Sequence, residues 1–302
     1  VAQRKGQRNR GRRGGDRQRG RQGVEAPVVL PPSAENSLFG FEVDPSELAA
    51  NRRGAVRAVL QAALPPLVVL VVIAAIINPF IAVAVALLGG AAAWYFLLER
   101  PSDGGLGALV GGRVVTANEE PRLANLVDAM VATVGLSVPT LVVLDDPVPN
   151  ACAYGSGDGA RVVVTRGLLD SVDLVQLEGV IAHELAHLRR GDGQRAVVVY
   201  RCAPFTIGGW NSDRLHRSLG LGRELRADQI GAASVRYPIG IADALERCMN
   251  APAPTSDSAF SAKSFSRTRW LWFDPMVHDR SDDAAVGNHD ATSLRIAVLE
   301  EW

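Results

Sequence analysis

The stretch His183-Glu184-Leu185-Ala186-His187 decides how the rest of the chain is read. Histidines four apart on an α-helix project from the same face, one turn apart, so both imidazoles can reach one divalent metal. A water polarised by such an ion loses its proton near neutral pH, and Glu184, beside the first histidine, is placed to take that proton and later pass it to a leaving amine. The surrounding sequence supports a helix. Asp170 or Ser171 can cap its start, and Leu174, Leu177, Ile181, Leu185 and Leu188 recur at helical spacing. Arg189 and Arg190 suit the negative end, and Gly191 can stop the helix. The competing reading is a buried helix that carries two histidines by chance.

A metal site of this kind needs a third protein ligand. The best candidate is Glu224 in Arg223-Glu224-Leu225-Arg226-Ala227-Asp228, where Asp228 follows at i+4. Asp228 would accept a hydrogen bond from the far nitrogen of a ligating histidine and fix its tautomer. On spacing alone, an exposed salt-bridged helix is an equal reading. The H-E-x-x-H motif tips the balance towards metal. His216, His278 and His289 are weaker candidates.

Together these residues resemble the HtpX-like membrane-anchored zinc metallopeptidases, relatives of the CAAX prenyl proteases. The resemblance runs from about Leu106 to the end. It includes Glu120-Pro121-Arg122-Leu123, Gly135-Leu136-Ser137-Val138-Pro139, Asn150-Ala151-Cys152-Ala153-Tyr154-Gly155 and Val162-Val163-Val164-Thr165-Arg166-Gly167-Leu168-Leu169. It implies one Zn2+ per chain on His183, His187 and Glu224, with Glu184 catalytic and Asp228 orienting a ligand. It further implies a substrate groove near Asn150, Ala151, Cys152 and Ala153, although an ordinary covered strand fits the sequence there equally well. His289 and Arg295 resemble a late H-P-x-x-x-x-R element, with Asp290 in place of the proline. The gap between His187 and Glu224 is 36 residues, and its apolar piece, 196–210, is interrupted by Arg201 and Pro204, too short and broken for a span.

The implied fold class is α+β: a zincin-like, mainly helical metalloprotease domain with a small β-sheet, preceded by a transmembrane helical hairpin. Residues 1–24 hold nine Arg/Lys and one Asp, a net of +8. The whole chain balances 32 basic against 32 acidic residues, so the remainder carries −8. This Arg/Gly-rich tail has too little apolar surface to fold and reads as disordered. It suits anionic lipid headgroups. Nucleic acid is disfavoured, because stacking aromatics are missing. Residues 25–57 read as a linker with one short helix, 45–53. Residues 58–98 read as two transmembrane helices: 58–77 is 20 residues without a charge and 80–98 is another 19, with the turn signal Asn78-Pro79 between them. Pro65-Pro66 would kink the first helix or mark its effective start.

Arg52, Arg53, Arg57 and the basic tail put the N-terminus in the cytoplasm by the positive-inside rule. Two spans then return the catalytic domain, 99–302, to that side of a multi-pass cell-membrane protein. Three widely spaced cysteines, Cys152, Cys202 and Cys248, give neither a disulfide framework nor a thiolate zinc pattern. Within the domain, 118–134 reads as helix, 140–145 and 161–165 as strands with a Gly-rich hairpin turn at 155–159, and 237–249 as an amphipathic helix. Trp270-Leu271-Trp272-Phe273 reads as packing rather than a ligand cage.

The function this implies is hydrolysis of polypeptides, with membrane proteins as substrates in quality control. The alternative from another class is a catalytically silent membrane scaffold or adaptor that retains the zinc fold. Such a scaffold would have no need of Glu184.

Overall fold

The computed structural model describes residues 44–100, 103, 105–205, 219–220, 222–261, 263–275 and 291–301. The tail 1–24, His216, His278 and His289 lie outside them.

Helix α1 (Pro45–Ile77) begins at Asp44, whose carboxylate accepts the Ser46 amide hydrogen bond, and continues unbroken through Pro65 and Pro66. At 1.5 Å per residue its 33 residues extend about 50 Å, well beyond the ~30 Å hydrocarbon core. The short helix expected at 45–53 is the first part of this longer helix, which carries on past Arg57 into the first apolar segment, and 25–43 lie outside the described residues. The sequence hid this continuation because charges at Arg52, Arg53 and Arg57 end the apolar run, not the helical geometry. Asn78 makes a one-residue corner. Its side chain caps α2 (Pro79–Trp94) at Phe80, and Pro79 fills the first position, where no amide donor is needed. A π-helical turn, Tyr95–Glu99, closes the hairpin. Arg201 donates to the carbonyls of Leu97 and Arg100 at its end. Both helices are long and apolar enough to cross a membrane. They expose Val69, Leu70, Val72, Ile73, Ile76, Ile77, Phe80, Leu87 and Leu88, a surface for which lipid is the matching solvent.

The remaining chain forms an α+β domain. Its sheet has the order β1-β2-β4-β3, with β1 (Arg113–Val114), β2 (Thr140–Leu144), β3 (Ala151–Tyr154) and β4 (Arg161–Thr165). β2 runs parallel to β4, and the other pairs are antiparallel. The Gly-rich segment makes the β3–β4 hairpin turn, as its composition predicts. β1 is two exposed residues, too short to leave an alternating pattern.

Period-2 alternation sends the strands' side chains to two cores. Leu141, Val143, Ala151, Ala153, Val162 and Val164 face one core. It is covered by α3 (Pro121–Val134), α4 (Leu174–Arg190), α6 (Arg223–Ser234), α7 (Ile239–Met249) and α8 (Thr292–Glu300). Val142, Cys152, Tyr154 and Val163 face the other, formed with α5 (Asp192–Cys202), the aqueous half of α1 and Trp270–Trp272. The apolar piece from Ala196 thus supplies α5, a buried helix of the domain.

α4 carries the H-E-x-x-H motif. Its cap is Asp173, in a reciprocal capping box with Gln176, rather than Asp170 or Ser171. Those two end a separate short helix, Arg166–Ser171, and extended Val172 breaks the chain between the helices. Gly191, at φ 77°, ends α4 and starts α5.

Glycines set how closely the helices approach. A Cβ on Gly179 of α4 would lie 2.9 Å from the Ile241 backbone nitrogen of α7. One on Gly231 of α6 would lie 3.1 Å from the His183 backbone nitrogen. An exposed helical Gly→Ala change gains about 1 kcal/mol. Gly179→Ala should instead cost about 1–3 kcal/mol, because backbone must move. Thermal unfolding of the detergent-solubilised protein, followed by circular dichroism, should show a midpoint several degrees lower.

Candidate metal centre

α4 and α6 bring His183, His187 and Glu224 together. The His183 and His187 Nε2 atoms lie 3.1 Å apart, and Glu224 Oε2 lies 3.3 and 3.5 Å from them. Four-coordinate bonds of about 2.0–2.1 Å place donor atoms about 3.3–3.4 Å apart, so this triangle has the dimensions of one face of a tetrahedral site.

The hydrogen bonds pair the far nitrogen of each ring with a buried carboxylate. His183 Nδ1 is 2.8 Å from Asp228 Oδ1, and His187 Nδ1 is 2.9 Å from Asp192 Oδ2. Each carboxylate holds the proton on Nδ1 and leaves a lone pair on Nε2. Two lone pairs and a carboxylate oxygen then converge in a buried space. Without a cation that arrangement is repulsive, and with one it is a ligand set.

Glu184 adds a second observation. It is 1 % exposed, and among the described residues neither of its carboxyl oxygens has a hydrogen-bond partner. A buried carboxyl without partners is costly unless a ligand engages it. Burial pushes its pKa up to about 7, His183 opposes the shift and Glu224 adds to it.

The supporting ring is tightly made. Arg295, fully buried, grips Asp228 with two hydrogen bonds, Nε to Oδ2 at 2.6 Å and Nη2 to Oδ1 at 2.8 Å. It also donates to the Phe273 carbonyl at 2.6 Å. Burial would raise the Asp228 pKa, but Arg295 and His183 overcome this and hold it at about 2. The Phe273 ring meets His183 edge-on, with centroids 4.9 Å apart. Arg223 holds the other oxygen of Glu224, Oε1, at 2.6 Å, which leaves Oε2 directed at the histidines. Glu224 and Asp228 therefore lie on a buried face, while Arg226 reaches outward to Glu47.

The structure does not bring every sequence candidate to the triangle. Arg295 stands behind Asp228, and its Nη1 also lies 3.8 Å from Glu224 Oε2. The Asn150 side chain bonds both backbone groups of Asp274, at 2.7 and 3.0 Å, and is a brace. Ala151 accepts the Phe273 amide at 2.8 Å and Cys152 bridges to Trp272, so the outer edge of β3 is covered there. Cys152 is buried, and burial raises its thiol pKa. Trp270–Phe273 are core residues, as read. Asp192 went unrecognised in the sequence. Its signal was an acid placed directly after the glycine that ends the motif helix.

Two helical histidines, a glutamate from a second helix and a partnerless glutamate carboxyl next to the first histidine make this a candidate metallopeptidase centre. Comparison with known proteins agrees. The model of peptidase family M48 matches residues 117–209. The protease HtpX homolog of Tropheryma whipplei (strain Twist) is 31% identical over 248 residues, which cover 70% of this chain and 82% of that protein. The homolog of Dictyoglomus turgidum is 32% identical over 177 residues, 45% of this chain and 57% of its own length. That of Salinibacter ruber is 28% identical over 224 residues, 64% and 78% respectively. No solved structure matches. The chain belongs to the HtpX-like branch of the M48 metallopeptidases, and with its apolar hairpin it is a membrane-anchored protease. The scaffold reading is set aside.

The Asp228–Arg295 pair sets a testable cost. Arg295→Met would leave a buried, uncompensated carboxylate and should destabilise the fold by about 3–5 kcal/mol. Chemical unfolding should show Asp228→Asn/Arg295→Met to be more stable than Arg295→Met alone.

Proposed function

We propose that this protein is a zinc-dependent endopeptidase in which His183, His187 and Glu224 hold one Zn2+ and Glu184 moves the proton. The converging Nε2, Nε2 and Oε2 triangle beside a buried, partnerless Glu184 carboxyl carries the reading. Two imidazoles and one carboxylate suit zinc over the harder, oxygen-seeking Mg2+ and Ca2+. When bound, zinc supplies the Lewis acidity that polarises a scissile carbonyl and acidifies water. The chain's own residues do the rest. Glu184 takes the proton from the attacking water and delivers it to the leaving amine nitrogen. Asp228 and Asp192 hold the two imidazoles in the Nδ1-protonated tautomer.

The substrates we infer are polypeptides of the membrane, misfolded or surplus membrane proteins cut at cytosolic segments. The apolar hairpin and the positive charges at its aqueous end support this, with the catalytic domain and N-terminus in the cytoplasm. The basic residues of 1–24 would add contacts to anionic headgroups, each worth about 1 kcal/mol near the surface.

Cleavage of an unfolded protein by the detergent-solubilised chain tests the chemistry. Glu184→Gln should lower kcat by at least about 10²-fold while zinc content stays at one per chain. Chelation should abolish wild-type cleavage, and added zinc should restore it. Undiminished cleavage by Glu184→Gln would overturn the assignment. In cells, wild type compared with Glu184→Gln should change the abundance of membrane proteins. Changes confined to soluble proteins would count against the substrate class.

A further inference from the structure

The aqueous end of α1 reaches the metal centre. Asn51, six residues before the charge that precedes the first span, is only 8 % exposed. Its side-chain amide donates to Asp192 Oδ1 at 2.6 Å and to the Arg190 carbonyl at 2.8 Å, and its oxygen accepts from Arg195 Nη1 at 3.0 Å. Asp192 in turn spends its other oxygen on His187 Nδ1, 2.9 Å away, and on Arg190 Nη1 at 2.8 Å. Glu47, one turn earlier on α1, accepts from Arg190 Nε at 3.2 Å and from Arg226 Nε at 2.7 Å. Arg190 ends the helix that carries both histidines, and Arg226 lies two residues beyond Glu224. Arg190 also donates to the Arg223 carbonyl at 3.2 Å.

We propose that Asn51 and Glu47 are positioning residues of the metal site, so that the helix entering the membrane is a structural part of the active centre. Asn51 acts through Asp192. That carboxylate is 3 % exposed and needs a donor on each oxygen. If Oδ1 loses its partner, the carboxylate turns, and the orientation of the His187 ring goes with it. Only an uncharged group with both donor and acceptor fits position 51. An acid there would face Asp192, and an alkyl chain would satisfy none of the three neighbours. Glu47 acts on spacing: one carboxylate spans α4 and α6 and fixes the separation of the histidines from Glu224. Ala55, Ala58, Val59 and Ala62 hold α1 in the second core beside Val197, Val199 and Cys202 of α5, so neither residue can drift from its partners. This inference rests on His187 being a metal ligand. The plainer alternative is that these bonds only dock α1 to the domain.

Competition for zinc against a chromophoric chelator separates the two, with full-length protein in detergent. Asn51→Ala should weaken zinc binding about tenfold, the lower end of the range for groups that orient a ligand. Asp192→Ala should weaken it further, and the double variant should match Asp192→Ala alone, because the two act in series. The visible spectrum of the cobalt(II) form should shift in Asn51→Ala. It should stay at wild type in Arg53→Ala, an exposed neighbour on the same helix. Wild-type affinity and cobalt spectrum in Asn51→Ala would overturn the proposal, as would losses that simply multiply with those of Asp192→Ala. If Asn51→Ala does not fold, Glu47→Gln carries the test at a partly exposed site. Several-fold weaker zinc binding supports the proposal, and wild-type binding overturns it. His187→Ala is the reference: undiminished zinc affinity there would fail the metal assignment itself, whatever position 51 does.

Discussion

Three electron-rich atoms held 3.1–3.5 Å apart inside the protein are the constraint around which this domain is arranged. Nothing about imidazole lone pairs and a carboxylate favours such proximity. It is imposed by partners on the far side of each group. Asp228 and Asp192 fix the histidines, and Arg223 fixes the glutamate. Those acids are buried too, so each needs its own counter-charge, Arg295 for Asp228 and Arg190 for Asp192. Breaking any such pair leaves a charge stranded at low dielectric, which makes the ring rigid and its members mutually dependent. Rigidity of this kind lets a site hold its geometry before substrate arrives.

The sheet divides the labour. One face backs the helices that carry His183, His187 and Glu224, and the other receives α5 and the aqueous part of α1. Gly191 joins the two sides. Its left-handed turn ends the motif helix and at once starts α5, so Asp192 swings back under His187. The same turn brings Asp192 within reach of α1. A single corner therefore links the histidine pair, the second core and the apolar hairpin.

The parts of the site that lie close in sequence could be read from it. His183 and His187, and Glu224 and Asp228, each follow the period of one helix, and local spacing is what a sequence displays. The β3–β4 hairpin was legible for the same reason, through its glycines and alternating strands. What was hidden depends on long closures. Asn51 meets Asp192 across 141 residues, and Arg295 meets Asp228 across 67. No composition or periodicity reports such contacts. Resemblance matched Arg295 to a late family element but gave it no place behind Asp228. The length of α1 was obscured differently, because polarity changes at Arg57 whereas backbone geometry does not. Pro65-Pro66 removes two amide donors in a helix that neighbouring structure and a surrounding apolar phase can still support.

The position of Arg295 has a consequence for the order of events at the ribosome. Its guanidinium is the counter-charge that makes a buried Asp228 tolerable, yet it is translated roughly 100 residues after the H-E-x-x-H helix. At about 5–20 residues per second, the nascent chain spends on the order of 5–20 s with both histidines made and the final clamp still missing. The hairpin emerges first and can enter the bilayer during that interval. The histidines are thus made well before the last buried counter-charge, and the ring around Asp228 can close only once Arg295 has emerged.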